Sequence, residues 1–456
     1  MTTPRRLALL LSALLLSPLP EANATTTPVD PYPQPAAGWG PSLGDGHMAS
    51  RWAEPLPGDS ALALRAELRL RQAAWHDAPG RAAGTTDQGQ LRAQFGADWR
   101  PLPALRVYGE LAVGDVDGGR DAAPANFRNA LSVQQLFVEL RRPVGNTLAG
   151  VMAGRQGFAD GPRQLLSLSD GPNLHRSWNG LRAYVHGRRW RLGAFDLRAT
   201  RLGTGAFDDV VDPRETLRGL NAGFVLGERS ATYLEPFWFR STQPAYRVAG
   251  QPGRDARNTT GLRVWGSRAA WKFDATLARQ AGTTVGNRAI DAWGLFAVGG
   301  LALSDAGWKP RLTARLDLAS GGGAWGSGTV RSFHPLYASS SYVSEGQLLA
   351  LSNVAILASG VSLSPTPRTT FSGEIGHVRR MSAEDALYAT ATRAYAGTQH
   401  APGRHVGELL RLQGSWRPDP RLTLRLTVEH LHAGAVLRRA GHGSSSFAFL
   451  DLTWRY

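Results

Sequence analysis

The chain has 456 residues, of which 53 are glycine and none is cysteine; 19% are charged and the formal net charge is +15. Without cysteine there is no disulfide scaffold, no thiolate metal site and no cysteine nucleophile. Lys272 and Lys309 are the only lysines, so the surplus is arginine, suited to two-point recognition of anions unless codon bias alone supplied it. A soluble nucleic-acid binder would mix lysine with arginine, and no nucleic-acid partner is expected. At roughly 150 residues per domain the length would fit about three soluble domains, a division that the patterning below argues against.

Arg5 and Arg6 precede an apolar run from Leu7 to Leu16, and Ala22-Asn23-Ala24 offers small residues for cleavage, so residues 1–24 read as a cleaved signal peptide. No later stretch approaches 18 consecutive apolar residues, which leaves periplasm, outer membrane or exterior as destinations. Residues 25–59, rich in proline and glycine, read as an irregular periplasmic leader. From 60 to 456 a single domain follows, in which period-two alternation recurs. In Ala61 to Arg71, Leu62, Leu64, Leu68 and Leu70 oppose Arg65, Glu67, Arg69 and Arg71; Arg311 to Leu318 and Arg421 to Glu429 repeat the division. Such segments fall at 61–75, 91–99, 104–114, 130–142, 147–156, 179–187, 189–200, 217–226, 230–241, 258–268, 269–281, 288–302, 308–320, 350–363, 368–381, 405–416, 421–434 and 446–456.

These 18 segments, joined alternately by short and long connections, predict an all-β fold: a closed antiparallel transmembrane β-barrel with short periplasmic turns and long extracellular loops. An even strand number puts both ends of the barrel in the periplasm. Trp52, Trp99, Trp190, Trp238, Trp271, Trp308, Trp416 and Trp454 stand mostly near strand ends, where interfacial girdles belong. Residues 447–456 alternate outward and end on Tyr456, similar to the terminal strand by which outer-membrane barrels are recognised for assembly. Closing that strand on the first removes an aggregation-prone edge. The expected location is the bacterial outer membrane, with outer-membrane lipid and the barrel-assembly machinery as partners.

With leucine toward lipid, the opposite face places Arg65, Arg69, Arg71, Arg182, Arg263, Arg311, Arg315, Arg421 and Arg425 in the lumen. Glu67, Glu110, Glu139, Asp317, Glu374 and Glu429 share that face in part, so some arginines are expected in cross-strand pairs and the remainder to select anions.

The segment Gly154-Arg155-Gln156, then Asp160-Gly161-Pro162-Arg163, then Trp178-Asn179-Gly180-Leu181-Arg182 resembles the signature of the alginate-export outer-membrane porin family. Trp178 and Asn179 stand where that family usually has Phe and Asp. Phe333-His334-Pro335-Leu336-Tyr337 is similar to the family's aromatic-x-Pro-Leu-aromatic loop. The resemblance implies a monomeric barrel of 18 strands with a loop-constricted, arginine-lined pore for an acidic polysaccharide such as alginate, or for smaller organic anions. It implies solute contacts at Arg155, Arg163 and Arg182; the pattern of faces adds Arg65, Arg69, Arg263, Arg315 and Arg425.

Other motifs carry less. Gly114 to Asp121 lacks the distal glutamate of a calcium loop and reads as a surface turn, and Gly321 to Gly328 lacks the Lys-Ser/Thr ending of a phosphate loop and reads as an external loop. His430 and His432 share a face without a third ligand in sequence, so neither metal nor cofactor is expected. The alternatives are an outer-membrane hydrolase of the lipase kind, for which no Gly-x-Ser-x-Gly elbow and no convincing outward Ser–His pair is visible, a porin taking up small carboxylates, and a passive structural barrel.

Overall fold

A strand that alternates leucine with arginine satisfies both faces only between lipid and a wet interior, and closure into a cylinder provides that environment for every strand at once. In the computed structural model the described residues are 61–118, 123–159, 164–187, 189–226, 232–391 and 393–456, with the backbone of the short strand Trp52–Pro55. The expected signal peptide, most of the leader and Arg163 lie outside them. Eighteen strands form the wall: β1 Ala61–His76, β2 Thr85–Leu102, β3 Leu105–Asp117, β4 Asn129–Val144, β5 Thr147–Gly157, β6 Ser177–His186, β7 Trp190–Arg201, β8 Val210–Leu226, β9 Thr232–Val248, β10 Gln251–Arg268, β11 Trp271–Thr284, β12 Arg288–Ala302, β13 Arg311–Ala319, β14 Val354–Thr366, β15 Thr369–Arg379, β16 His405–Asp419, β17 Leu422–Ala433 and β18 Ser445–Arg455. Each is antiparallel to its sequence neighbours, and β18 pairs with β1 from Glu67↔Arg455 to His76↔Ser446, which closes the cylinder. Trp52–Pro55 folds back on Ala61–Leu64, so the end of the leader is tied to β1.

The strand count is as expected, and the strand lengths are not. The segments expected to begin at 91, 217 and 258 begin at Thr85, Val210 and Gln251, and the one expected to end at 241 runs to Val248. Crossing a bilayer needs only about 9–11 residues, so these strands project beyond the membrane at the long-loop end, where no leucine marks them. There the alternation of short and long connections also fails: β9 and β10 are joined by Ala249 and Gly250 (φ 47° and 80°), β11 and β12 by a turn containing Gly286 and Asn287 (φ 71° and 56°). Consecutive left-handed residues make the tight hairpin turns that suit twisted strands.

The outer face carries exposed apolar side chains, including Leu70, Leu136, Leu220, Leu277, Leu357 and Leu450. Trp99, Trp271, Trp308, Trp416 and Trp454 are exposed near the short-turn end, the periplasmic side of bacterial barrels, and form one girdle there. Trp190 is half-buried near the same end, and Trp238 is exposed in mid-strand. The interior is not polar throughout. Phe195 and Leu197 on β7, Phe237 and Phe239 on β9 and Phe447 and Phe449 on β18 face inward and pack with loop residues such as Leu165, Phe333, Tyr337 and Leu348 in one buried apolar cluster.

Candidate functional site

The inner wall of β1 to β4 is polar, and its charges are matched. Arg65 pairs with Glu110 at 2.9 Å, and Glu110 also accepts from the Tyr108 hydroxyl at 2.7 Å. Arg106 bridges Asp98 at 2.9 Å and Glu139 at 3.1 Å, while Glu67 is held between Arg92 and Arg455. Elsewhere on the wall Arg263 joins Glu235 at 3.0 Å to Asp274 at 2.6 Å, and Arg315 binds Glu374 at 2.6 Å with Asp317 3.5 Å away. Arg425, a quarter exposed, lies 3.5 Å from Asp451 and 3.6 Å from Glu345.

Three loops from the long-loop end interlock with this wall and with one another. Arg69, only 1% exposed, donates to the carbonyls of Asp170 and Pro172, both at 2.7 Å, and Arg71 donates to that of Gly171 at 3.1 Å. The Asp170 carboxylate accepts from Arg92 and meets His175 at 2.8 Å. Burial works against its charge, but Arg92 and His175 override this and hold Asp170 well below the ordinary carboxylate range. These contacts fix residues 164–176 of the connection between β5 and β6. Loop 320–353 is held by Glu429, whose carboxylate accepts from the Ser344 hydroxyl at 2.6 Å and from the amides of Glu345 and Gly346 at 2.9 and 3.1 Å. Arg315 and Arg411 donate to the Tyr342 carbonyl at 2.9 and 3.1 Å. The two loops meet at Tyr337, whose amide donates to Leu165 and whose carbonyl accepts from Ser167. Asp385, in loop 380–404, accepts from Gly322, and Arg380 binds four carbonyls of its own loop region.

The motif Phe333 to Tyr337 is thus buried rather than presented to solvent. His334 stacks on Tyr246 with ring centres 4.6 Å apart, its Nδ1 accepts from the Leu336 amide at 3.1 Å, and its Nε2 lies 3.2 Å from Gln243 Oε1. Accepting at Nδ1 makes the ring a neutral Nε2–H tautomer. Burial, with Arg257 nearby, pushes its pKa down to about 3.

The expected solute contacts divide. Arg65, Arg69, Arg263 and Arg315 face the interior as expected, but they are buried in ion pairs and loop tethers. Arg182 stands opposite buried Met152 and lies over the Phe158 ring at 4.7 Å, facing inward. Arg155 does not face the lumen: the register sets it opposite Leu136, which is 57% exposed on the outer surface, and it donates to Asn179 at 3.1 Å and to the Val133 carbonyl at 2.9 Å, with Asp209 3.6 Å away. Arg421 is likewise outside the lumen, in an exposed short turn over Tyr456. The glycines of the same signature have a backbone role. Gly154 and Gly180 are directly opposite one another on β5 and β6, at φ 129° and 152°, and a Cβ on either would collide with the backbone of the next strand. They allow the neighbouring strands to approach closely near the end of β5 and the start of β6.

Sequence reading missed Asp170, Glu429 and Asp385 as loop anchors, since each acts across long sequence separations. It also missed an outward Ser–His pair: His430 Nδ1 lies 2.9 Å from Ser446 Oγ, on adjacent strands. Among the described residues no carboxylate is bonded to His430.

A model of the family described as Alginate export matches residues 61–451. Among curated proteins none matches the sequence. Solved structures share the fold at low identity. OccK9 (OpdG) of Pseudomonas aeruginosa superposes with TM-score 0.55 and 13% identity over 86% of this chain and 98% of that one. OccK2 (OpdF) of the same organism, in complex with glucuronate, gives 0.52 and 15% over 86% and 97%. A BenF-like porin from Pseudomonas fluorescens Pf-5 gives 0.54 and 12% over 86% and 99%.

Proposed function

The chain belongs to the Alginate export family, and on that premise we propose that it is an outer-membrane porin passing acidic solutes, with an acidic polysaccharide such as alginate as substrate class and the short-turn mouth as the side of capture. The observation that carries this reading is where the exposed cations lie. Arg100, Arg189, Arg268, Lys309, Arg368, Arg417, Arg421 and Arg455 are all exposed at the short-turn end, with Arg100 and Arg455 also pairing with Asp98 and Glu67, whereas the exposed carboxylates there, among the described residues, are Asp305 and Asp419. A rim with such an excess of positive charge around a low-dielectric wall focuses field lines and concentrates counter-charged solute at the mouth. Past the rim, Arg182 and Arg425 are the inward arginines proposed to contact the solute. The tethered Arg69 acts by holding a loop. Passage is by diffusion, without catalysis. The terminal strand ending at Tyr456 is proposed as the segment read by the assembly machinery, with the barrel inserting as a monomer.

Planar-bilayer recording tests the proposal. Reversal potentials should show preference for chloride over potassium, and uronate oligomers should block more strongly from the short-turn side. Cation preference, or equal block from both sides, would overturn it. A second reading, uptake of small carboxylates, is favoured by the three interlocked loops, which leave a polymer less room than a monomer. Liposome swelling with uronates of increasing length separates the two, since uptake of monomers alone supports the second.

A further inference from the structure

We propose that His377, His405 and Glu408 form a binding site for a divalent transition-metal ion of the zinc class, on the outward face of the barrel at its long-loop rim. His377 on β15 stands opposite Glu408 on β16 in the ladder. His405 is three residues from Glu408, and in a regular strand residues three apart face opposite sides. The ladder shifts register between Val378↔Gly407 and Arg379↔His405, a bulge that turns His405 onto the outward face beside Glu408. The bulge needs glycine: Gly407 has φ 142°, and a Cβ there would collide with the His432 carbonyl.

The result is convergence of three ligand atoms, all within 4.8 Å of one another. Glu408 Oε1 lies 3.4 Å from His377 Nδ1 and 3.1 Å from His405 Nε2. A tetrahedral ion with ligand distances of about 2.0–2.1 Å has ligand-to-ligand edges of about 3.3 Å, and both separations are close to that. The imidazole rings are stacked, with centroids 5.1 Å apart and planes inclined by 17°, an arrangement that two neutral rings accept and two imidazolium rings would strain. Two imidazoles and one carboxylate suit zinc, nickel or copper rather than calcium or magnesium, which take oxygen ligands. All three side chains are partly exposed, so remaining coordination positions open outward; His432 stands opposite Glu408 on β17, also exposed. Arg379, opposite His405, adds a cation nearby, which the Glu408 carboxylate offsets. Since β15 and β16 are the feet of loop 380–404, the ion would clip that loop at its base.

The test is titration of the full barrel, purified in detergent without a histidine tag, with zinc and separately with copper, followed by calorimetry and by electron paramagnetic resonance. One ion per chain is expected, with two-nitrogen coupling in the copper spectrum. His377→Ala and His405→Ala should each weaken affinity by at least about tenfold, Glu408→Gln should weaken it too, and His430→Ala should leave it unchanged. Binding that persists unchanged in the His377→Ala/His405→Ala variant, or wild-type protein that takes up no ion at millimolar zinc, overturns the assignment. Circular dichroism of each variant separates lost binding from a lost barrel.

Discussion

Acidification should release loop 320–353, and His334 sets the pH at which it does. The ring is 2% exposed, packed on Tyr246, and its Nδ1 accepts from the Leu336 amide, so a proton there would oppose one donor to another beside Arg257, with Asp255 as the nearby carboxylate. Its pKa is pushed down to about 3 while the loop is docked, against about 6.5 for a solvated imidazole. The undocked loop therefore binds the proton more readily. Docking is fully favoured above pH 6.5 and is lost progressively as pH falls toward 3. Each unit in that window costs about 1.4 kcal/mol, so going from pH 7 to pH 5 removes about 2 kcal/mol, roughly a thirtyfold change in the ratio of docked to undocked loop. Single-channel recording at both pH values should show more frequent transitions to a higher conductance at pH 5. His334→Asn keeps an acceptor toward the Leu336 amide and does not titrate, and it should flatten the pH response. Gating that is the same at pH 7 and 5 in the wild type, or an undiminished response in the variant, would refute the reasoning.

Three further outcomes follow from the same contacts. Arg69→Lys keeps the charge but not the fork that reaches two carbonyls, so it should loosen loop 158–176 and raise conductance as much as Arg69→Ala does, the lost charged hydrogen bonds being worth about 1.5–3 kcal/mol each; unchanged conductance with altered selectivity would make Arg69 a solute contact instead. Replacing Arg368, Arg417 and Arg421 together by Gln should lower chloride preference and halve or more the block by uronate oligomers from the short-turn side, measured by reversal potential and blocking constant, with little change in melting temperature because all three are exposed. Ester hydrolysis by detergent-solubilised protein should be absent and Ser446→Ala should change nothing, since no carboxylate among the described residues is bonded to His430 to orient it; activity that disappears with Ser446→Ala would revive the hydrolase alternative.

The barrel was legible because lipid imposes period two: Leu62 to Arg71 and Leu422 to Glu429 must alternate, and each begins or ends where the alternation does. Strand ends beyond the membrane lose that constraint. Residues 251–257 of β10 carry no lipid-facing leucine, so nothing local distinguishes them from a loop. Faces were less legible than strands. On β7 the inward residues near the long-loop end are Phe195 and Leu197 and the outward ones Asp196 and Arg198, with Asp196 in contact with Arg218 at 3.0 Å. Polarity inverts there because packed loops replace water inside and the rim replaces lipid outside. Arg155, which the family resemblance and not the alternation marked as a solute contact, faces outward opposite exposed Leu136. The alternation put Glu429 on the inner face, but the anchoring roles of Asp170, Glu429 and Asp385 left no local signal, because Arg69 reaches Asp170 across 101 residues and Ser344 reaches Glu429 across 85.

The near absence of lysine has a physical reading once the contacts are placed. A lysine ammonium is a point charge, whereas a guanidinium has five donors in a fixed plane and can bind a carboxylate and a carbonyl together. Wall and loop arginines use that capacity. Arg315 holds Glu374 and the Tyr342 carbonyl, Arg71 holds Asp451 and the Gly171 carbonyl, and Arg380 gathers the carbonyls of Asp385, Thr398, Ala401 and Gly403. Loops folded into a barrel bring backbone carbonyls without regular partners, and each must be satisfied where water is scarce. Arginine on the wall meets that demand and neutralises wall carboxylates in the same step. The cations of the short-turn rim are exposed beside tight turns, where contacts such as that of Arg368 with the Pro418 carbonyl stay open to water, and on the proposed reading their positive charge acts on a solute at a distance. Burial thus separates two settings of one residue type: matched arginines fix the loops inside, and the exposed ones are those proposed to set the field at the mouth.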